Sequence, residues 1–194
     1  MNQNFKIYSD NKLIDIIYNE SHSLKSQAFT ELYSRYSNKV YLYCRKVFGD
    51  GTDAEDIFQE TFIQFLKNIE RKVEIKNVLG LLLKIARNLS LNYKRDNKLN
   101  LTELEEIHIA FTENEIETKE LNQLIESALD LLPEEHKEAF ILQIYEGLSY
   151  QEIAELTEVP LTTVRNRIVR AKNKLKEILT PFFELNEKSE KKYE

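Results

Sequence analysis

Residues 159–175 read VPLTTVRNRIVRAKNKL, five basic side chains and no acidic one, in a chain of 194 residues whose formal net charge is -6. On a helix turning about 100 degrees per residue, Val164, Ile168, Ala171, Leu175 and Leu179 fall on one side. Thr162, Asn166, Val169 and Asn173 point directly away, flanked by Arg165 and Arg170. Such a face suits the major groove of DNA, where arginine pairs with guanine, asparagine with adenine, and an apolar group meets the thymine methyl. Thr163 joins the set at the start of the helix, and Lys172, Lys174 and Lys176 reach toward phosphates.

The residues just upstream make this a motif. Ser149 and Glu152 form a capping box for a short helix ending near Leu156, the turn LTEVP follows, and the basic helix opens near Pro160 and runs to about Leu179. Two short helices joined by such a turn are the sequence form of a helix-turn-helix. A basic run is more often only a solvated face. Here the cap, the turn, the proline start and the apolar period coincide, which favours DNA binding.

Working outward, the chain reads as all-α. It is 42% hydrophobic and 31% charged, with only four glycines and three prolines to break it. An apolar stripe of Phe29, Leu32, Tyr33, Tyr36, Val40, Tyr43 and Val47 predicts a helix over 28–48. Thr52 and Glu55 form a second capping box, opening a helix over 53–69 with Ala54, Ile57, Phe58, Phe62, Phe65 or Leu66, and Ile69 inward. A third helix over 78–95 turns Leu79, Leu82, Ile85, Ala86, Leu89 and Tyr93 inward. Residues 102–120 hold seven glutamates and one lysine, so the remainder of the chain sums to zero charge. The acidity is segregated into a linker. Beyond it, Leu121, Leu124, Ile125, Ala128, Leu131 and Leu132 make another stripe that Pro133 ends, and a helix from Pro133 finishes at Gly147. The expected organisation is two small helical domains, 1–98 and 123–182, joined by an acidic linker at 99–122 and followed by a charged tail at 183–194, the second domain carrying the helix-turn-helix.

Residues 53–66, DAEDIFQETFIQFL, place Asp53, Asp56, Gln59 and Glu60 outward, where they can meet a basic partner helix. Asp53 and Glu55 also suit a helix N-terminus, but Gln59 and Glu60 lie past the first turn. In residues 84–98, Lys84, Arg87, Lys94, Arg95 and Lys98 against Asp96 give +4, interleaved with Asn88, Asn92 and Tyr93. Charge, amide and ring together suit a single nucleic-acid strand. Tyr93 lies in the apolar stripe as well, so core packing and stacking both remain open for it.

With these blocks in place the chain resembles the extracytoplasmic function group of bacterial RNA polymerase sigma factors. Residues 129–175 look like the family's region 4, 53–66 like region 2.2, and 79–95 like regions 2.3 and 2.4. The resemblance implies that Asp53, Asp56, Gln59 and Glu60 dock on core RNA polymerase. Lys84, Arg87, Asn88, Asn92, Tyr93, Lys94 and Arg95 would hold the melted downstream promoter element. Thr162, Thr163, Arg165, Asn166, Val169, Arg170, Lys172, Asn173 and Lys174 would read the upstream element as duplex. Leu81 and Leu83 stand where the family often has tryptophan and tyrosine, and Thr162 where it often has glycine. The resemblance further implies an anti-sigma partner, and a linker that threads the polymerase channel later used by RNA.

Other classes fit less well. His22, His108 and His136 lie in three different segments, no His/Cys cluster or glycine-rich loop is present, and so no catalysis, metal or cofactor is expected. The single cysteine, Cys44, within YLYCRK, reads as a buried thiol rather than half of a disulfide. With no apolar run of about 18 residues and no signal-like N-terminus, a cytoplasmic protein without membrane contact of its own is expected. A free-standing helix-turn-helix regulator, or a protein-binding adaptor, are the alternatives. The docking pattern and the basic IARNLSLNYKR weigh against the regulator, and run-off transcription with purified core would exclude the adaptor.

Overall fold

The structure is a computed structural model that describes residues 5–48, 52–97 and 116–190, and all of their regular structure is helical. A 3-10 turn, Phe5–Ile7, precedes α1 (Asp10–Asn19), α2 (His22–Phe48), α3 (Thr52–Glu70) and α4 (Val78–Asn97). After them come α5 (Ile116–Asp130), α6 (Glu134–Ile144), α7 (Tyr150–Thr157) and α8 (Leu161–Glu190). The chain divides into two compact units, Met1–Leu99 and Asn100–Glu194.

In the first unit, α1 is a helix that the stripe-by-stripe reading of the sequence passes over. Ser9 caps it by accepting a hydrogen bond from the Lys12 amide at 3.3 Å, and Leu13, Ile16 and Ile17 are buried against α2 and α3. Arg35 of α2 holds this N-terminal segment. Its guanidinium donates to Asp10 and Glu31, each at 2.8 Å, and to the carbonyls of Phe5 at 3.3 Å and Lys6 at 3.2 Å. The Tyr36 hydroxyl donates to the other oxygen of Asp10. Burial and that hydrogen bond push the Tyr36 phenol up to about 12.

The core of this unit lies between α2, α3 and α4. Leu32, Val40, Tyr43 and Cys44 from α2 meet Ile57, Phe62, Phe65 and Ile69 from α3. Tyr33 and Phe62 lie tilted against each other with ring centroids 4.7 Å apart, and Phe58 stands edge-on to Tyr41 at 5.6 Å and to Phe62 at 5.4 Å. Helix α3 opens at Thr52, but the side chain of Thr52, and with it the capping box expected there, lies outside what the structure describes. At the start of α4, Asn77 accepts a hydrogen bond from the Gly80 amide at 2.9 Å, which ends the loop and aims the helix.

The inward face of α4 differs from the expected one. Val78, Leu82, Ala86 and Ser90 form the buried row with Leu83 beside it, while Leu79, Ile85, Leu89 and Tyr93 are only half-buried. Helix α4 packs against both α2 and α3, and their combined surface centres on that row. Ser90 belongs in it because its hydroxyl donates to the Ala86 carbonyl at 2.6 Å, so hydrophobicity alone does not place the face.

In the second unit, α5 starts at Ile116, inside the stretch read as linker, and residues 99–115 of that stretch lie outside the described residues. Ala128, Leu129 and Leu132 pack on Ala171 and Leu175 of α8, with Ile125, Phe140, Ile178 and Leu179 around them. Leu131 departs from the expected stripe and is 66% exposed, because α5 stops at Asp130 and the turn swings it outward. Helix α6 follows Pro133 and closes on Gly147, whose φ of 74° lets the Leu148 amide donate back to the Leu142 carbonyl at 3.0 Å. Helix α8 continues past Leu179 and through Pro181 to Glu190.

Candidate nucleic-acid interface

The helix-turn-helix is built from local signals. Ser149 accepts from the Glu152 amide at 3.2 Å while its own amide donates to the Glu152 carboxylate at 2.9 Å, completing the capping box. Helix α7 ends at Glu158, which takes a left-handed conformation with φ 59°, and the Val159 amide turns back to the Ala154 carbonyl at 3.2 Å. The Pro160 carbonyl then accepts from Thr163 at 2.9 Å and Val164 at 3.2 Å, opening α8.

Val164, Ile168, Ala171 and Leu175 are buried beneath α8. Thr162, Arg165, Asn166, Arg170, Lys172 and Asn173 are exposed, as is Val169 at 47%, and Thr163 is half-buried. Two pairings escape the sequence reading. Arg167 is drawn sideways into an ion pair with Glu135 of α6, fixing the roll of α8. Lys174 is exposed but pairs with Glu177 at 3.1 Å, so any phosphate it meets competes with that carboxylate.

In the first unit, α3 presents Asp56 and Gln59 fully outward, with Asp53 and Glu60 half-exposed. Glu60 accepts from Gln64 at 2.6 Å and lies 3.9 Å from Lys67. Ile63 shares this outer face and is 48% exposed; sequence reasoning missed it because it belongs to no inward stripe.

On α4, Lys84, Asn88, Asn92 and Arg95 recur at four-, four- and three-residue steps and share one face. Asn88, Asn92 and Arg95 are exposed, and Lys84 is half-buried with Arg87 and Lys94 flanking the row. Arg95 also touches the neighbouring Asp96 at 3.1 Å. Leu83, at a position tied by resemblance to an aromatic residue, is fully buried. Tyr93 is not brought into the row, since it lies about 180 degrees round the helix from Lys84 and about 140 degrees from Asn88. Asp53 at the start of α3, ahead of burial and the charge of Asp56, raises its phenol above the ordinary tyrosine range.

The family described as Sigma-70 region 2 matches residues 32–99, and the one described as Sigma-70, region 4 matches residues 122–175. These two matches put the protein in the sigma-70 class, with both regions in one chain. The ECF RNA polymerase sigma-E factor of Haemophilus influenzae is 35% identical over 170 residues, which cover 80% of this chain and 89% of that one. SigW of Bacillus subtilis, another ECF RNA polymerase sigma factor, is 28% identical over 166 residues, covering 78% and 89%. Among solved structures, the sigma factor RpoE of Bartonella quintana, in complex with the anti-sigma factor NepR, matches with a TM-score of 0.63 at 23% identity. That match covers 78% of this chain and 96% of RpoE, a likeness of fold. The chain belongs to the extracytoplasmic function group of RNA polymerase sigma factors.

Proposed function

We propose that this chain binds core RNA polymerase through the outer face of α3, with Asp56, Gln59 and Glu60 at its centre, and directs it to promoters. The α8 face reads the upstream element as duplex. The row Lys84, Asn88, Asn92 and Arg95, flanked by Arg87 and Lys94, takes the downstream element as a melted strand, where amides and cations meet bases and phosphates. The chemistry belongs to the polymerase. The setting is the cytoplasm, and an anti-sigma factor that masks these faces is part of the same reading.

One observation carries it. A single chain holds, in order, a partly exposed acidic face on α3, a partly exposed amide and cation row on α4, and a helix-turn-helix whose reading side is exposed. A free-standing regulator needs only the last. No described helix is long and apolar enough to cross a membrane.

The test is promoter-directed run-off transcription with purified core, comparing the parent with a chain carrying Gln59→Lys and Glu60→Lys. Both residues sit outside the α3 core, so helicity is retained while a basic partner surface is repelled. Core binding and transcript are expected to fall at least about tenfold, several charge contacts having become repulsive. Full activity of the double variant would remove α3 as the docking face.

A further inference from the structure

Helix α4 turns the arc around Leu82 and Ala86 into the core of the first unit, against α2 and α3, so the opposite side of the helix is its open side. At about 100 degrees per residue, Lys84, Asn88, Leu91 and Arg95 fall within an arc of about 60 degrees, and Leu91 lies about 180 degrees from the fully buried Leu82. Leu91 is 49% exposed. A single leucine at a surface is ordinary. This one stands inside the row, with Asn88 one turn before it, Asn92 next to it and Arg95 one turn after it. Residues 84–95 include Lys84, Arg87, Lys94 and Arg95 and no acidic side chain, so the charge around Leu91 favours a polyanionic strand over a basic protein surface. The row holds no ring. Leu83 is buried, and Tyr93 lies about 160 degrees round the helix from Leu91.

We propose that Leu91 is the apolar rest for one unstacked base of the melted downstream strand, with Asn88 and Asn92 beside it for the base edge and Lys84 and Arg95 for the neighbouring phosphates. This rests on the downstream reading of α4 given above. A base drawn out of its stack exposes two largely apolar faces to water, and an aliphatic side chain can cover one of them whichever base it is. Cations alone hold a strand by its phosphates and leave its bases free to pair again. A half-exposed leucine among amides supplies the contact that phosphate binding lacks. Its contribution is apolar and does not depend on salt, whereas that of Lys84 does.

The experiment uses the full chain bound to core polymerase and a forked promoter template that carries the downstream element as a single strand. Leu91→Gln keeps length and helix propensity but makes the tip polar, whereas Leu91→Met keeps it apolar. Leu91 is outside the core, so both variants are expected to melt with the parent. Strand capture is expected to fall roughly three- to tenfold in Leu91→Gln, by the same factor at low and high salt, and to stay within twofold of the parent in Leu91→Met. Templates with one abasic position at a time locate the base. At one position the parent is expected to drop to the level of Leu91→Gln, and the substitution then has no further effect. Equal capture by the parent and Leu91→Gln on intact templates, or a loss that persists at every abasic position, overturns the proposal. So does an equal fall in core affinity, which puts Leu91 against a protein surface instead. If Asn88→Ala with Arg95→Ala also leaves capture unchanged, the α4 row is not the strand site and the downstream reading itself fails. If that pair abolishes capture while Leu91→Gln is silent, only the role of Leu91 fails.

Discussion

At the residue scale, the side chains on α8 divide by what surrounds them. Arg165, Asn166 and Arg170 stand on the outward face of a helix whose roll is fixed beneath by Val164 and Ile168 and at its side by the Arg167 pair with Glu135. On the proposed reading these three meet bases, whereas Lys172 and Lys174 on flexible stems act as point charges for phosphates. Replacing Arg165 or Arg170 with alanine is expected to cost about 1–3 kcal/mol at one promoter position and little elsewhere. Lys172→Ala should weaken all sequences alike and lower the salt slope by about one. Lys174→Ala should move it less, because binding a phosphate there means giving up Glu177. Affinities over a set of promoter variants at several salt concentrations give both quantities, and an equal loss on every variant for Arg165 and Arg170 would place them on the backbone instead.

At the scale of the element, the turn of the helix-turn-helix is the strained part. Glu158 takes φ 59° without being glycine, at the C-terminal cap of α7. The left-handed conformation costs a side-chain-bearing residue about 1–2 kcal/mol, and a negative charge at a helix C-terminus adds a few tenths. Glycine removes both but loses about 0.5–1 kcal/mol of unfolded-state freedom. A side-chain contact of Glu158 is lost as well, which keeps the gain small. Glu158→Gly is therefore expected to stabilise the chain by about 0.5 kcal/mol, and Glu158→Val to destabilise it, since a β-branched residue tolerates positive φ least. Thermal unfolding followed by circular dichroism distinguishes them, with the glycine variant melting a few degrees higher. A lower melting point for Glu158→Gly would mean that the side-chain contact outweighs the backbone strain.

At the scale of the whole molecule, charge is sorted along the chain. Seven glutamates and one lysine lie between residues 102 and 120, giving the segment the net -6 of the entire protein. Helix α5 starts at Ile116, and Glu103, Glu105, Glu106, Glu113 and Glu115 precede it in the sequence. A plain tether needs length but no particular sign. A connector that imitates nucleic acid in a channel made for RNA needs the negative charge. Changing these five to glutamine preserves length and is expected to lower core affinity roughly tenfold at low salt, with the difference shrinking as salt screens it. Equal affinity and equal yields of short abortive transcripts at low salt would reduce the segment to a tether.

The sequence by itself determined the helices with strong local grammar and the outward face of α8. Capping boxes, the three- and four-residue apolar period and proline starts are relations between residues within one turn, and they survive without the rest of the molecule. Even α1 was legible in these terms, since Ser9 precedes Leu13, Ile16 and Ile17 at helical steps. Only the tertiary structure decided which arc of α4 is buried, that Leu83 belongs to the core, and that Arg167 turns to Glu135. Each of these depends on which helix lies alongside and in what register. A helix whose apolar residues spread over more than half its circumference offers several inward faces, and packing against two neighbours at once selects one of them. The family follows from the order and spacing of local motifs. Which polar residues of α4 share one open side follows from the arc that α2 and α3 bury.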